Sequence, residues 1–313
     1  MDEFALIRRY FAGHGRGSGV AVGIGDDGAV LEPAPGMQQV QVIDTLVEGV
    51  HFPSDLAPAD VGYRAVAVNL SDIAAMGAVP RWMTLALSLP AADEEWLDGF
   101  ASGLHTAAAE YDVALVGGDT TRAPVAVITV HISGDVETGG AILRSGARPG
   151  DTVYVTGTLG DAAAGLRGLR EGDPVRELLW RFTRPAARVR AGRALRGVAT
   201  AAIDVSDGLL GDLGKLLLAS GVGARLDVEA LPISPPLAAH FGADEQRRFA
   251  LSGGDDYELC FTASGELPDT GIVPVTAIGT VVEGAGIELR LDGEPFDYAD
   301  AGYRHFADDE SGA

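Results

Sequence analysis

The sequence predicts an α+β fold arranged as two sandwich domains, and three observations carry that expectation. The chain has 313 residues, more than one compact domain usually holds. Strand-like and helix-like segments alternate in both halves, but several successive strands are joined by loops too short for a helix, which disfavours a purely parallel sheet. The turn-rich segment SGARPGD at residues 145–151 interrupts the pattern, and so divides the chain into residues 1–144 and 145–313.

The N-terminal stretch MDEFALIRRYFAG reads as an amphipathic helix mixing acid and base; it lacks the basic start and small-residue cleavage site of a secretory signal. After a Gly-rich loop, the alternation around Val40 and Val42 reads as a strand ending at Asp44. Residues 58–76 read as a helix, with Pro58 suited to its first turn and Gly77 and Pro80 stopping it. In residues 81–89, Met83, Leu85, Leu87 and Leu89 alternate with Trp82, Thr84 and Ser88, a strand with one apolar face. Trp96, Phe100, Leu104, Ala107 and Tyr111 recur at helical spacing. A short buried strand at 113–116 then runs into Gly117-Gly118-Asp119, and 125–133 reads as another strand. The second half repeats the cycle: a strand at 153–156, helices, the segment AIDVSDG, a further helix, a strand at 225–228, a helix, and strands around Glu258, Val275 and Ile287.

Composition excludes several function classes. Hydrophobic residues make up 47% of the chain, enough for sizeable cores. No stretch approaches the roughly 20 apolar residues that cross a bilayer, so a soluble cytoplasmic protein without a membrane partner is expected. Cys260 is the only cysteine; an internal disulfide is impossible, a cysteine-built metal site is disfavoured, and Cys260 itself reads as core. A net charge of −22 argues against nucleic acid, which needs a basic face. Lys215 is the only lysine and no GxxxxGK[ST] segment occurs, so nucleotide chemistry here does without a P-loop lysine.

The most informative feature is where the acids sit. Asp26 and Asp27 lie between glycines in GIGDDG, Asp119 follows Gly117-Gly118, Asp204, Ser206 and Asp207 fall in IDVSDG, and Asp255 and Asp256 fall in GGDDYE. Apolar strands running into Gly-Asp place carboxylates where backbone can approach a ligand closely. Donors that are all oxygen suit hard ions, Mg²⁺ or else Ca²⁺ and Mn²⁺, rather than zinc. Taken singly, each motif reads equally as a turn or a helix cap, and none has the EF-hand spacing. Asn69 and Asp72 lie one turn apart on one face of a mostly apolar helix, either at its exposed edge or pointing into a site.

Taken in order, GIGDDGAV, DTLVEGVHF, AVNLSDIAAMGAVPRW, VGGDTTR, LRSGARPGD, VYVTGTLGDAAAGL, AIDVSDGL and LSGGDDYELCF resemble the motif series of the thiamine-monophosphate kinases. That family lies in the ATP-binding superfamily that includes aminoimidazole ribonucleotide synthetase, and the resemblance covers nearly the whole chain, about residues 4–306. It implies two sandwich domains of the aminoimidazole ribonucleotide synthetase type. The N-terminal one would bind ATP and Mg²⁺ and dimerise through its sheet into a homodimer; the C-terminal one would complete the nucleotide and substrate site. It implies metal ligation by several Mg²⁺ ions at Asp27, Asp44, Asp72, Asp119, Asp204 and Asp207. Nucleotide contacts would fall on Gly118, Asp119, Arg144 and Ser206, and thiamine phosphate contacts on His51, Asp255 and Tyr303. The implied reaction takes ATP and thiamine monophosphate to ADP and thiamine diphosphate. Two departures stand out. Val42 and Ile43 replace the Ser-Thr pair usual before the aspartate of the D-T-L motif, leaving only their carbonyls as donors, and Asp255 replaces a glutamate.

This chemistry suits the composition. Phosphoryl transfer asks mainly for positioning and electrostatic stabilisation, and a phosphate acceptor is already ionised at neutral pH, so no dedicated catalytic base is expected. Joining two anions in a lysine-poor acidic protein calls for bound cations, with Arg144 as one fixed positive group. His51 reads as either a structural histidine or a substrate contact; Trp82 and Tyr303 read as core aromatics on their own, and Tyr303 as a stacking surface by the resemblance. Two alternatives compete: another ATP-dependent enzyme of the superfamily, and a non-catalytic acidic metal-binding protein. DTLVEGVHF opposes the first, and the concentration of acids beside glycines opposes the second.

Overall fold

The computed structural model describes residues 3–14, 17–265, 267, 273–300 and 302–303. The chain forms two compact units, Met1–Ile142 with Thr183–Gly197, and Leu143–Phe182 with Val198–Ala313.

In the first unit, helix α1 (Glu3–Tyr10) is followed by a small hairpin of β1 (Val20–Val22) and β2 (Val30–Leu31), whose loop is the GIGDDGA segment. Then come β3 (Met37–Val47), α2 (Pro58–Ala75), β4 (Val79–Leu89), α3 (Glu94–Glu110), β5 (Ala114–Arg122) and β6 (Val127–Glu137). The long strands form a four-stranded sheet in the order β3-β6-β4-β5. Only β4 and β5 run parallel, and α3 supplies the long crossover that parallel pairing needs. The cap on α3 is Asp93, whose side chain accepts from the N–H groups of Glu95 and Trp96 at 2.9 and 3.2 Å.

Helix α2 is apolar almost all round and is therefore a core helix: from Val61 to Ala75 every residue is buried except half-buried Asp72. It packs on β3 and β6 and against α3. A Cβ on Gly62 would overlap the carbonyl of Phe100, and one on Gly103 the carbonyl of Ala59, so the two helices touch backbone to backbone. The sheet face under α2 carries Leu85, Leu87, Ile128, Val130 and Ile132, all buried.

Two strands differ from their sequence reading. β3 does not end at Asp44 but runs on to Val47, and β5 runs through Gly117-Gly118-Asp119 to Arg122. Both are edge strands. A strand paired on one side only tolerates polar and glycine residues that a central strand would not, so local composition marked an end where the ladder continues.

The second unit opens with β7 (Thr152–Thr156), α4 (Asp161–Glu171) and α5 (Arg176–Thr183). The chain then passes back to the first unit, where α6 (Val189–Ala194) packs on α2. Arg184 donates to Asp60 at 2.7 Å, and a Cβ on Gly192 would overlap the carbonyl of Ala74. The second unit resumes with β8 (Ala199–Val205), α7 (Leu209–Ser220), β9 (Gly223–Asp227), α8 (Pro235–His240), α9 (Ala243–Ser252), β10 (Glu258–Ala263), β11 (Val275–Val282), β12 (Gly286–Leu291) and β13 (Glu294–Pro295). Its seven-stranded sheet has the order β13-β12-β9-β11-β7-β10-β8, with β9 and β12 the parallel pair. Leu209, Leu213, Leu216 and Leu217 of α7 enter its core beside Cys260, which is buried as expected. Both units are thus mixed, mainly antiparallel sheets with helices, the α+β class expected from the sequence. Among the described residues, no helix is long and apolar enough to cross a membrane.

Candidate active site

In the first unit, the β1–β2 loop and the edge strand β5 enclose a cleft of about 460 Å³. Asp26, Asp27 and Asp119 line it, with the backbone of Gly117 and Gly118 and an apolar floor that includes Ile7, Phe11, Leu85 and Leu115. Glycine is required at 118, because a Cβ there would overlap the carbonyl of Leu85 on β4. At the loop tip, the Asp27 N–H donates to the Asp26 carboxylate at 2.9 Å. Among the described residues no lysine or arginine lines this cleft, so it is a negative pocket with glycine backbone beside it, suited to a cation and the phosphates that accompany one.

Asp44 is placed elsewhere. It shares a rung with Val130, Leu85 and Gly118, so its side chain shares the α2 face of the sheet with Val130 and Leu85. Asp119, one rung on, points to the opposite face, three strand spacings or about 14 Å away. The partner of Asp44 is instead the helix that packs on β3, where Asp72 is the half-buried position. Asn69 is fully buried and not at an exposed edge; its amide donates to the Ala65 carbonyl at 3.0 Å, while its Oδ1 has no hydrogen-bond partner among the described residues. Ile43 is 64% exposed on the face opposite Asp44, so the hydroxyl missing there takes nothing from Asp44's own surroundings. Val42 is half-buried on Asp44's face, and there the missing hydroxyl does count. His51 closes the turn after β3: its Nδ1 accepts the Val47 N–H at 3.0 Å, which leaves the neutral ring's proton on Nε2.

In the second unit, three motifs that are distant in sequence come together. The Asp255 N–H donates to the Ser206 carbonyl at 2.8 Å, the Tyr257 N–H to the Val205 carbonyl at 2.8 Å and the Tyr303 N–H to the Asp207 carbonyl at 3.0 Å. Asp255 and Tyr257 both have left-handed backbone, with φ of 70° and 52°, a conformation that costs a non-glycine residue energy and is tolerated where surrounding contacts fix it. The Tyr257 hydroxyl donates to the Asp255 carboxylate at 3.2 Å. Gly208 has φ 111°, and a Cβ there would overlap Ser252 backbone; Gly302 lies so close to the Asp207 carbonyl that a Cβ would collide with it. Tyr303 is 51% exposed, so it is no core aromatic, whereas Trp82 is buried and donates to the Ser18 carbonyl at 3.0 Å. Asp204, on β8 beside this cluster, is 5% exposed. Arg144 is exposed, and its loop is tied to the far end of α7: Ser220 Oγ donates to the Arg144 carbonyl at 3.1 Å and accepts the Gly146 and Ala147 N–H groups. That end lies roughly 16 Å along the helix from the end carrying Ser206 and Asp207.

The supporting role of two sets of residues around this cluster escaped the sequence reading. Asp212 accepts the N–H groups of Ser206 and Asp207 at 2.8 and 2.9 Å, and Lys215 bridges Asp207 and Asp212 at 2.6 and 2.7 Å. Burial pushes the Asp212 carboxyl up against the opposing pull of Lys215. Burial lowers Lys215 too, but its hydrogen bonds to Asp207 and Asp212 outweigh this and hold the ammonium above its ordinary value. An acid in the first turn of a helix just after SDG, three residues before the sole lysine, was the available signal. The second set is a buried polar network. Asp256 accepts the Gly160 N–H at the start of α4 at 2.7 Å. Glu258, fully buried, pairs with Arg181 and accepts from Thr156 at 2.6 Å. Asp161 accepts from Thr158 and Ser234 at 2.7 and 2.6 Å. Three carboxylates thus surround one guanidinium. Burial holds the Asp256 carboxyl well above the ordinary range, against the Gly160 hydrogen bond and Arg181. No local pattern announces this network, since its members come from β7, α4, α5 and β10.

Among the described residues, no three His, Cys, Asp or Glu side chains gather closely enough to cage a metal alone. Mg²⁺ does not ask for such a cage: it is usually held by one or two carboxylates together with waters and substrate phosphates. The oxygen-only acids at Asp27 and Asp119, at Asp44 and Asp72, and at Asp204 and Asp207 fit that habit.

Family models match both halves of the chain. The AIR synthase related protein N-terminal domain covers residues 25–136 and the corresponding C-terminal domain residues 148–292. The thiamine-monophosphate kinase of Salmonella typhimurium is 49% identical, covering 97% of this chain and 98% of that protein; the Escherichia coli K12 enzyme of the same name is 48% identical with the same coverage. Among solved structures, the thiamine-monophosphate kinase of Stenotrophomonas maltophilia K279a superposes with a TM-score of 0.86 at 45% identity, covering 94% of this chain and 98% of that one. AaThiL complexed with AMPPCP and TMP superposes with a TM-score of 0.79 at 35% identity, covering 90% and 92%.

Proposed function

The chain belongs to the thiamine-monophosphate kinase family, and on that premise we propose that it transfers the γ-phosphoryl group of ATP to thiamine monophosphate, giving thiamine diphosphate. The observation that carries the reading beyond kinship is the cluster in the second unit. There the backbone of Ser206 and Asp207, whose side chains offer a hydroxyl and a carboxylate to phosphate and cation, is hydrogen-bonded directly to the segments that present Asp255 and Tyr303. Asp255 offers a carboxylate to the cationic thiazolium or the aminopyrimidine of the acceptor, and the exposed Tyr303 ring offers a stacking surface. In the first unit, Gly117 and Gly118 let nucleotide phosphates approach the strand closely, with Asp27 and Asp119 beside them.

Asp27, Asp44, Asp72, Asp119, Asp204 and Asp207 would hold Mg²⁺ in small groups, and the ions would supply the positive charge that two phosphate anions need. The chain's own contribution is positional. In the second unit the loop at 253–257 is held by backbone hydrogen bonds to Val205 and Ser206 and by buried Asp256, which orients Asp255 without a dedicated base. His51 and Arg144 complete the substrate and nucleotide contacts in this proposal.

The first unit would also dimerise, giving a cytoplasmic homodimer. Supporting this, the sheet face away from α2 carries exposed Met37 and Ile43 on β3 and half-buried Thr129 and His131 on β6, an apolar and polar mixture typical of interfaces. The direct test incubates purified protein with ATP, Mg²⁺ and thiamine monophosphate and measures thiamine diphosphate. Product is expected; a folded protein that binds both substrates yet makes none would sink the proposal.

A further inference from the structure

Lys215 is the chain's only lysine, the other basic side chains all being arginine or histidine, and it reaches the loop that carries Ser206 and Asp207. Its Nζ lies 2.6 Å from Asp207 Oδ2 and 2.7 Å from Asp212 Oδ1. The three side chains differ in freedom. Asp212 is 1% exposed and pinned by two backbone N–H groups, whereas the Asp207 and Lys215 side chains are 35% and 45% exposed. A lysine is a compact charge on a flexible stem with three rotatable donors, unlike the rigid fork of an arginine. It can leave Asp207 while Asp212 keeps the loop in shape.

We propose that Lys215 is a tethered cation which, in the metal-free protein, holds the position beside Asp207 that a divalent ion takes on loading. The inference rests on reading Asp207 as a metal ligand. An ion bonded to Asp207 at the usual Mg–O distance of about 2.0–2.1 Å would lie within a few ångströms of the ammonium, and two cations that close repel strongly where water is partly excluded. Binding therefore drives the ammonium off Asp207. Two consequences follow for this chain: Lys215 weakens its affinity for the free ion, and it keeps the loop assembled, without repulsion between Asp207 and Asp212, when no ion is present.

The test uses the full-length protein and Mg²⁺ alone, without nucleotide. In the wild type, acetylation of the Lys215 amine, followed by mass spectrometry, should run faster in saturating Mg²⁺ than in EDTA at matched ionic strength. Unchanged or slower labelling overturns the proposal. By calorimetric titration, Lys215→Met should bind Mg²⁺ about tenfold more tightly, whereas Lys215→Arg, which keeps the charge, should not. The Tm of Lys215→Met should fall in EDTA and recover in Mg²⁺. Equal or weaker Mg²⁺ binding by Lys215→Met overturns the role of Lys215 alone. Absence of Mg²⁺ binding in the wild type overturns it together with the assignment of Asp207 as a ligand.

Discussion

Asp207 and Asp256 show how differently two carboxylates of one unit are used. Asp207 is partly exposed and paired with the partly exposed Lys215 ammonium, so it can reach a ligand. Replacing it with alanine should cut kcat on the order of 10²-fold or more while circular dichroism stays native. Asp256 is buried and presents no face to a ligand; it fixes the loop of Asp255 to the start of α4. Because burial raises the Asp256 carboxyl, the folded protein retains a proton that the unfolded chain releases near the ordinary aspartate value. The stabilisation is present at the acid end of that interval and is lost as pH rises through the raised value. Urea midpoints of the wild type should therefore decline with pH across this window, and Asp256→Asn should flatten the profile; parallel profiles would remove Asp256 as the cause. Arg181 pairs with Glu258 and lies beside Asp161 and Asp256. Arg181→Met removes that buried cation and should cost about 3–5 kcal/mol in chemical denaturation.

At the scale of elements, glycines decide which surfaces can meet. Gly103 lets α3 sit on the backbone of α2 at Ala59. Gly103→Ala should lower stability by about 1–3 kcal/mol, because overpacking outweighs the gain in helix propensity. Gly214, in the middle of α7, has open space where a methyl group would stand, with nothing within 4 Å, so Gly214→Ala should raise stability by about 0.4–1 kcal/mol. Thermal melts of the two variants should move in opposite directions. The elements were legible from local pattern where apolar periodicity was strong, as in α2 and β4. They were misread at β3 and β5, where the pattern stops but the hydrogen-bond ladder continues because an edge strand is held by its one neighbour.

For the whole molecule, the proposed homodimer makes a claim separable from catalysis. Ile43 stands exposed on the edge strand β3, on the sheet face away from α2, where a charge would be buried on association. Ile43→Asp should shift the protein from dimer to monomer in sedimentation velocity, and a monomeric wild type would refute the dimer outright. The passage of Thr183–Gly197 back into the first unit had no sequence signal, since Arg184 meets Asp60 and Gly192 meets Ala74 only after both segments have folded.

The sequence by itself determined the α+β class, the family and the acids beside glycines, because these are local: periodicity, turn chemistry and motif order are written in neighbouring residues. Tertiary structure alone decided which acids lie near one another. It set Asp27 beside Asp119, left Asp44 about three strand spacings and one sheet face away from Asp119, and joined Ser206 and Asp207 to Asp255 and Tyr303 through backbone hydrogen bonds. It also exposed the supports, Asp212, Lys215, Asp256 and Arg181. Strand order and register set those distances, and they depend on pairings between residues far apart in the chain, which no local pattern encodes.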